Sequence, residues 1–398
     1  MGGCNYLRVK MGRVRGGFLL GILTLIFLKV AAQASSLHYL VTNDDVSDNY
    51  VQNTVTFYTI DANGELTLAQ SVDVGVTGAN GGYFPSTRVV ALNTSSNQCI
   101  FASDAATGEI AGVDVNTLAL TGSAKGSSTD TGLSNGVGLA LNSQYLYAGF
   151  SDSNTIGTFE ILGNCSLGFV GDVAVAGLQG GVVDGMAVHG NMLIATYGDG
   201  SIESFNLSSG LPISNDDEQN STGSKAGNSY PSGIDITQDG HFAIFGDTST
   251  ATLIEVSDIS SGKLTPTITY KFGSGINSSN VMLSPDESLL YISNTQGDEI
   301  SAAFFNKTTG QLSSGCVSNR IRGYSSSWSY LASLALASTS GDGAAVYVAE
   351  FASPSSIAEI QVNSSSGQCS MAEMPTSPVA DSNSFGLLSI AAFPPRAF

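Results

Sequence analysis

The chain has 398 residues, of which 42% are hydrophobic and only 12% are charged, and it contains 47 glycines. This composition supplies enough apolar side chains for a large core and is typical of turn-rich all-β proteins, so it argues against coiled coils and helical bundles. The net charge of −19 argues against nucleic acid and anionic lipid as partners, because an acidic surface repels both.

The first 34 residues are predicted to be a signal peptide. Four basic residues between Arg8 and Arg15 precede an apolar core at 18–28, and the sequence Ala-Gln-Ala that ends at Ala34 predicts cleavage there. The alternative is an uncleaved membrane anchor, but the apolar core is short for a bilayer and Lys29 ends it. Cleavage leaves nine basic residues against 33 acidic ones, a net charge of −24.

From residue 38 onward the chain is predicted to consist of short strands separated by turns. The mature N-terminus holds HYLVTND (38–44), TVTFYTID (54–61) and LTLAQSV (66–72). Such apolar runs of four to eight residues, bounded by Asn, Asp, Gly and Pro, are typical of strands and hairpins. A unit of about 50 residues then recurs. Its first strands begin near Arg88, Gly136, Val183, Ser232, Ser279 and Tyr330.

The strands predicted at the two ends of the chain together make up one blade. No first strand precedes HYLVTND, and FGLLSIAAF (385–393) is a first strand with no strand after it. Pairing the last strand with the first three closes a ring and removes a free sheet edge. The sequence therefore predicts an all-β, seven-bladed β-propeller, one domain over 35–398, rather than an open sandwich or two smaller β domains.

The mature chain keeps an even number of cysteines, which predicts two disulfides in an oxidising compartment. They are Cys99, Cys165, Cys316 and Cys369. Three pairings are possible, and proximity in the sequence favours Cys99 with Cys165 and Cys316 with Cys369. Because no Cys-x-x-Cys occurs, a metal or redox role is not expected, and no cofactor is implied.

Asn-x-Ser/Thr sequons recur along the mature chain, several of them at predicted turns. Together with the signal peptide they predict a secreted glycoprotein, either released or held at the cell wall or cell surface. The candidate glycosylation sites are Asn93, Asn164, Asn206, Asn220, Asn277, Asn306 and Asn363.

Two segments, ATYGDGSIESFNL (195–207) and LSPDESLLYISNTQGDEISAAFFNKTTGQL (283–312), resemble the repeat signature of the seven-bladed lactonase family. That family includes propeller-type 6-phosphogluconolactonases and 3-carboxy-cis,cis-muconate lactonising enzymes. The chain is also similar to secreted fungal glycoproteins that are described as carboxymuconate-cyclase-like, some of them cell-wall antigens or adhesins. The resemblance extends over all seven blades and implies a site where the blades converge on the central channel.

The resemblance also implies a catalytic set: His and Arg at first-strand starts, a Glu, and an Arg that follows Ser-Asn at the end of a second strand. Such groups hold a carboxylate and stabilise charge during ring opening or closure. This chain has Gly233 where a family blade has the His of Pro-Arg-His, Thr295 where the Arg is expected, and Asp184 in place of another His. Asp247 occupies the acidic position and is a weak catalytic candidate.

Three other polar features are predicted to be structural. His189 and His241 fall in Gly-containing hairpin turns, where structural roles are commoner than catalysis. Asp44, with Asp45 and Asp48, is predicted to form a solvated acidic turn, because the spacing fits no calcium-binding loop. The sequence therefore predicts no metal site.

The segment between the sixth and seventh blades is the strongest candidate ligand site. It concentrates arginines and aromatic side chains, and such groups can hold an anion or a sugar. Its candidate ligand residues are Arg320, Arg322, Tyr324, Trp328 and Tyr330, and the two arginines are also weak catalytic candidates. The alternative is that the aromatic rings pack between blades while the arginines pair with surface acids.

Two functions follow from these patterns. The first is a secreted or cell-wall-associated glycoprotein that binds a host or cell-surface protein or glycan, or a small anionic or lactone-type ligand. The second is an extracellular lactonase or carboxymuconate cycloisomerase that acts on a carboxylated lactone. The fold does not decide between them, because propellers carry both kinds of function.

Overall fold

The computed structural model describes residues 38–44, 52–77, 87–127, 129, 136–220, 233–247, 252–272, 278–294, 299–322, 330–338, 344–351, 355–365, 367–381 and 389–396. These residues form seven antiparallel sheets, which are the blades of a β-propeller. The predicted fold class is therefore confirmed. No helix among the described residues is long and apolar enough to cross a membrane.

Blade 1 combines both ends of the chain, and blades 2 to 4 follow in order. Their strands are β1 (Tyr39–Asn43), β2 (Gln52–Ile60), β3 (Leu66–Thr77), β4 (Val89–Asn93), β5 (Gln98–Ser103), β6 (Glu109–Asp114), β7 (Ala119–Lys125), β8 (Val137–Leu141), β9 (Tyr145–Phe150), β10 (Thr155–Ile161), β11 (Leu167–Ala174), β12 (Val183–His189), β13 (Met192–Tyr197), β14 (Ser201–Asn206), β15 (Ile213–Ser214) and β16 (Gln219–Asn220), with a 3-10 turn η1 (Gly163–Cys165) before β11.

Blades 5 to 7 complete the ring, and the last strand returns to blade 1. Their strands are β17 (Gly233–Ile236), β18 (Phe242–Asp247), β19 (Thr252–Asp258), β20 (Thr265–Phe272), β21 (Ser278–Leu283), β22 (Leu289–Asn294), β23 (Ile300–Asn306), β24 (Gln311–Val317), β25 (Tyr330–Ser338), β26 (Ala344–Phe351), β27 (Ser356–Ser365), β28 (Gln368–Glu373), β29 (Val379–Ala380) and β30 (Ser389–Phe393).

The ring closes as the sequence predicts. β30 is the first strand of blade 1 and pairs antiparallel with β1, from Tyr39 opposite Phe393 to Asn43 opposite Ser389. β2 and β3 complete the same sheet. Hydrogen bonds across this seam hold the two ends of the propeller together and leave no open edge at the channel.

The core lies between the blades. Seven clusters of buried side chains each join two neighbouring blades; one of them, for example, packs Phe101 of blade 2 against Leu139 and Phe150 of blade 3. A second strand is therefore covered on both faces, which explains why these strands are continuous apolar runs rather than alternating ones.

The structure contains both disulfides that sequence proximity favours. Cys99–Cys165 joins β5 of blade 2 to η1 of blade 3, and Cys316–Cys369 joins β24 of blade 6 to β28 of blade 7. Each disulfide therefore links neighbouring blades and limits their separation in the unfolded chain.

Candidate ligand site at the channel mouth

Several buried polar side chains lie at one end of the central channel. Each second strand runs antiparallel to its first strand, so first-strand starts and second-strand ends meet at one end of the channel, as Val183 opposite Tyr197 shows. We call this end the mouth and the opposite end the floor. Most chain segments that lead into first strands fall outside the described residues, so the strand ends define the site.

Three first strands are irregular at the mouth. β-Bulges leave Asp184 on β12, Ser279 on β21 and 332–333 on β25 without a partner in the neighbouring second strand. A bulge turns a side chain away from its regular direction and is frequent beside functional sites. Between the described first and second strands, register shifts therefore occur only at this end of blades 4, 6 and 7.

Arg88 immediately precedes β4 and is only 1% exposed. Its backbone N–H donates to the hydroxyl of Ser389 (2.9 Å), and its carbonyl accepts from Asn43 Nδ2 (3.3 Å), which also donates to the carbonyl of Ser103 (2.7 Å). The guanidinium lies over Gly136, where an added Cβ would be 2.6 Å from Nη2. Because Gly136 has no side chain, it leaves room at the start of blade 3 for the buried guanidinium of Arg88.

Asp184 is a buried carboxyl at the start of blade 4. Burial, with a smaller contribution from the charge of Asp199, raises its pKa to about 7. Asp199 itself is stabilised as an anion: although burial opposes its charge, hydrogen bonds from Ser201, Gln179 and Gly181 lower its pKa. Two neighbouring carboxyls thus have opposite pKa shifts, and Asp184 can exchange a proton near neutral pH.

Buried oxygen atoms at the mouth lack a hydrogen-bond partner in the described part of the chain. Among them are Oδ2 of Asp184, Oδ1 of Asn294 and Oε1 of Glu350, from blades 4, 6 and 7. Asn294 uses its amide nitrogen to donate to Ser301 Oγ (3.1 Å), and Glu350 accepts the hydroxyl of Ser356 with its other oxygen. Burial raises the pKa of Glu350 to about 7. Such unpaired atoms are unfavourable unless a ligand or water binds them.

Asp44 corrects one prediction. It follows β1 at the mouth and is fully buried rather than solvated. Its Oδ2 accepts the hydroxyls of Thr54 (2.5 Å) and Thr56 (2.6 Å), and its Oδ1 accepts that of Thr42. Burial and the charge of Asp381 raise its pKa well above the usual range. Asp45 and Asp48 lie outside the described residues.

The histidines lie at the floor. His38 precedes the second strand β1, His189 ends the first strand β12, and His241 precedes the second strand β18, all within described segments. His189 Nε2 lies 2.9 Å from the carbonyl of Gln238, and His241 stacks on Phe242. All three histidines of the chain are thus far from the first-strand starts, and the mouth has no imidazole.

The structure describes only part of the segment that is predicted to bind a ligand. Arg320 is exposed after β24, while Tyr324 and Trp328 lie outside the described residues, as does the side chain of Tyr330, the first residue of β25. Arg322 pairs with Glu373 of blade 7 (Nε to Oε2, 3.2 Å). A ligand role for all five residues stays a prediction.

The other predicted site residues are placed as follows. Asp247 ends β18 at the mouth, but its side chain lies outside the described residues. Arg322 also donates from its guanidinium to the carbonyls of Met374 and Pro375, so its charge stabilises the outer part of blade 7. No group of three metal-ligating side chains occurs among the described residues.

Sequence reasoning missed most of the mouth. Arg88, Asn294 and Glu350 were not among the candidate site residues, and Asp184 appeared only as a substituted His. A signal exists: acidic or amide residues recur at or just after second-strand ends, as Asp44, Asn294 and Glu350 do. Aligning those positions across the repeats would have identified a polar ring.

The sequon asparagines mostly surround the floor. The six that the structure describes are exposed; Asn277 lies outside the described residues. Asn93 ends a first strand, Asn206 and Asn306 end third strands, Asn164 follows a third strand, and Asn363 lies near the end of one. First and third strands both run from the mouth to the floor, so only Asn220, paired with Ser201 at a third-strand start, lies toward the mouth.

Comparisons with solved structures agree with this fold. A proposed 6-phosphogluconolactonase from Bacteroides fragilis has a TM-score of 0.68 and 14% identity, and the periplasmic gluconolactonase of Pseudomonas aeruginosa has 0.65 and 14%. A protein of unknown function from Desulfotomaculum acetoxidans has 0.61 and 12%. Each alignment covers 90% of this chain and 99% of the other. At these identities the similarity shows the fold alone.

Comparison of the sequence with protein-family models identifies the family of this chain. No functionally curated protein matches the chain. The family model described as a lactonase with a seven-bladed β-propeller matches residues 102–378, well over half of the sequence. The chain therefore belongs to the seven-bladed β-propeller lactonase family.

Proposed function

We propose that this protein is a secreted, glycosylated lactonase-like propeller that binds a small, hydroxyl-rich ligand at the channel mouth, as a recognition or adhesion protein does. The ligand class follows from the mouth, where buried oxygen atoms need hydrogen-bond donors. Sugars, sugar acids and their lactones supply hydroxyl donors in a compact molecule. A terminal sugar of a cell-surface or host glycan would present the same groups.

One observation carries this proposal: the unpaired buried oxygens of Asp184, Asn294 and Glu350. They come from three blades and lie at the same end of the channel, on residues that are at most 1% exposed. A buried acceptor without a partner costs about 1–3 kcal/mol, so a ligand that donates to these atoms recovers free energy that the free protein lacks.

Two further features support binding at the mouth. Five of the six described sequon asparagines lie toward the floor, so glycans attached there would leave the mouth open. The mouth also lacks the histidines of the family's catalytic pattern, and Thr295 stands where that pattern has an arginine. Both features favour recognition over family-type catalysis.

The test is binding of the mature protein to a glycan array and to a panel of sugar lactones and sugar acids, followed by calorimetry. Asn294→Ala and Glu350→Gln should each weaken binding of the ligand by roughly 5-fold, since a hydrogen bond contributes about 1 kcal/mol. Asp172→Asn, an exposed carboxyl on β11, is the matched control. Absence of any bound sugar, or unchanged affinity in both mouth variants, would refute the proposal.

A second function is favoured by the pKa of Asp184, which lies at about 7. A carboxylate with that pKa is suited to general-base catalysis at neutral pH. It would take a proton from water as the water oxygen attacks a lactone carbonyl, the ring C–O bond would then break, and the released alkoxide would recover a proton. The buried guanidinium of Arg88 would stabilise the negative charge.

One assay distinguishes the two functions. The second requires hydroxy-acid release from a lactone above the spontaneous rate, a rate that rises through about pH 7 as Asp184 ionises, and its loss in Asp184→Asn. Arg88→Lys should retain the charge but lower the rate, because a lysine does not reproduce the guanidinium geometry. Saturable binding without turnover would leave recognition as the function.

A further inference from the structure

Within the ring of first strands, the channel contains a partly open cavity of about 510 Å³. Ligand pockets for small molecules usually have volumes of about 300–1,000 Å³ and mostly apolar walls. Each of the seven first strands contributes a partly exposed apolar residue to the wall: Val90, Leu141, Ala187, Ile234, Met282, Leu336 and Ala391. The wall is therefore apolar around its whole circumference.

The C-terminal tail crosses the floor of this cavity. β30 lies between β25 and β4, and the three residues after it, Pro394 to Arg396, extend to β17 and β21 on the far side of the ring. Two consecutive prolines make this crossing stiff. Because all three residues line the cavity, the tail forms part of its wall.

Arg396 fixes the tail in place. Its Nη1 and Nη2 donate to Oδ2 (2.9 Å) and Oδ1 (2.8 Å) of Asp235, and they also donate to the carbonyls of Leu283 (3.0 Å) and Ile236 (2.7 Å). These carbonyls end two first strands. The arginine and Asp235 side chains are only 11% and 12% exposed. Such a buried bidentate pair holds one geometry.

The pair also sets the charge of the cavity. Apart from His38, Asp235 and Arg396 are the only residues with an ionisable side chain among the described lining residues, and they neutralise each other. An ionic ligand would have to leave water without gaining an opposite charge, which is unfavourable. A neutral apolar molecule would replace water along an apolar wall, which is favourable.

We infer that the channel interior is a second binding site, which takes an electrically neutral, apolar small molecule and is closed on one side by the tail. The site is distinct from the polar groups of the mouth and does not depend on the proposed function. Its ligand class is that of a slender hydrocarbon chain or a small neutral ring.

The test uses N-phenyl-1-naphthylamine, a neutral probe whose fluorescence rises in apolar surroundings. We expect saturable binding of one probe per protein, displaced by 1-dodecanol at least 10-fold more effectively than by dodecanoate or dodecylammonium. Ala391→Phe should fill the cavity and lower affinity at least 10-fold, whereas Ala119→Phe, on the exposed side of β7, should not. If Ala391→Phe does not fold, Ala187→Leu fills the same space with a smaller side chain.

The tail has its own test. Arg396→Ala should raise the probe's dissociation rate several-fold, whereas Lys307→Ala, an exposed basic residue, should leave it unchanged. No saturable binding, preference for a charged competitor, or equal affinities in the two phenylalanine variants would overturn the inference; an unchanged dissociation rate in Arg396→Ala would overturn the role of the tail. Sugar binding at the mouth is measured separately, so either proposal can fail alone.

Discussion

Asp184→Asn is expected to change how the stability of the folded protein depends on pH. The carboxyl lies at the start of blade 4 and is 1% exposed, and burial and the nearby charge of Asp199 raise its pKa from 3.8 to about 7. The folded protein therefore holds this proton more tightly than the unfolded chain does. Its contribution to stability is fully present below pH 3.8 and is lost as the pH rises through about 7.

The size of the effect follows from the shift. Each pKa unit corresponds to about 1.4 kcal/mol, so a shift from 3.8 to about 7 corresponds to about 4 kcal/mol. Asparagine has nearly the same shape but does not titrate. The free energy of unfolding of Asp184→Asn should therefore rise relative to wild type by about 4 kcal/mol between pH 4 and pH 8.

The measurement is urea denaturation of both proteins at pH 4, 6 and 8 and constant ionic strength. Asp172→Asn, at an exposed position of β11, is the control and should follow wild type within about 0.5 kcal/mol at each pH. A difference between Asp184→Asn and wild type that stays constant over this range would refute the reasoning, because it would show that the buried carboxyl binds its proton no more tightly than in the unfolded chain.

Three further outcomes follow from the structure. Glu350→Gln should remove a second pH-dependent contribution of about 3 kcal/mol, since burial raises that pKa from 4.5 to about 7; the same denaturation series measures it. Replacing Cys99 and Cys165 by alanine should lower the free energy of unfolding by about 4 kcal/mol under non-reducing conditions, because the disulfide closes a loop of 66 residues. Gly136→Ala should be less stable than Gly180→Ala in thermal melts, since both have positive φ but only Gly136 lies against Arg88.

The fold could be predicted because its pattern is local and repeated. Second strands such as β9 (Tyr145–Phe150) and β18 (Phe242–Asp247) stand out in the sequence, since a strand covered on both faces is a continuous apolar run. The sequence pattern indicates the outer strands less clearly. β7 (Ala119–Lys125) exposes most of its residues, so neither its alternation nor its hydrophobicity marks it, and hydrogen bonds to β6 define it instead.

The site could not be predicted in the same way, because its parts are distant in the sequence. Asp184, Asn294 and Glu350 come from three blades and reach the mouth only when the ring closes. Their burial and missing partners depend on that closure. Arg322 shows the converse: charge and aromatic neighbours mark its segment in the sequence, but its guanidinium is bonded to blade 7.

Residues that break the repeat explain more about function than residues that keep it. The unit 278–316 follows the repeat closely, and its side chains mostly build the contacts between blades 5, 6 and 7. At the mouth, bulges interrupt β12 and β21 where regular pairing would continue, and Asp184 is the unpaired residue of the first bulge. Such a bulge and a buried carboxyl both cost stability, and packing between blades does not require either one. A ligand that binds the mouth would account for both.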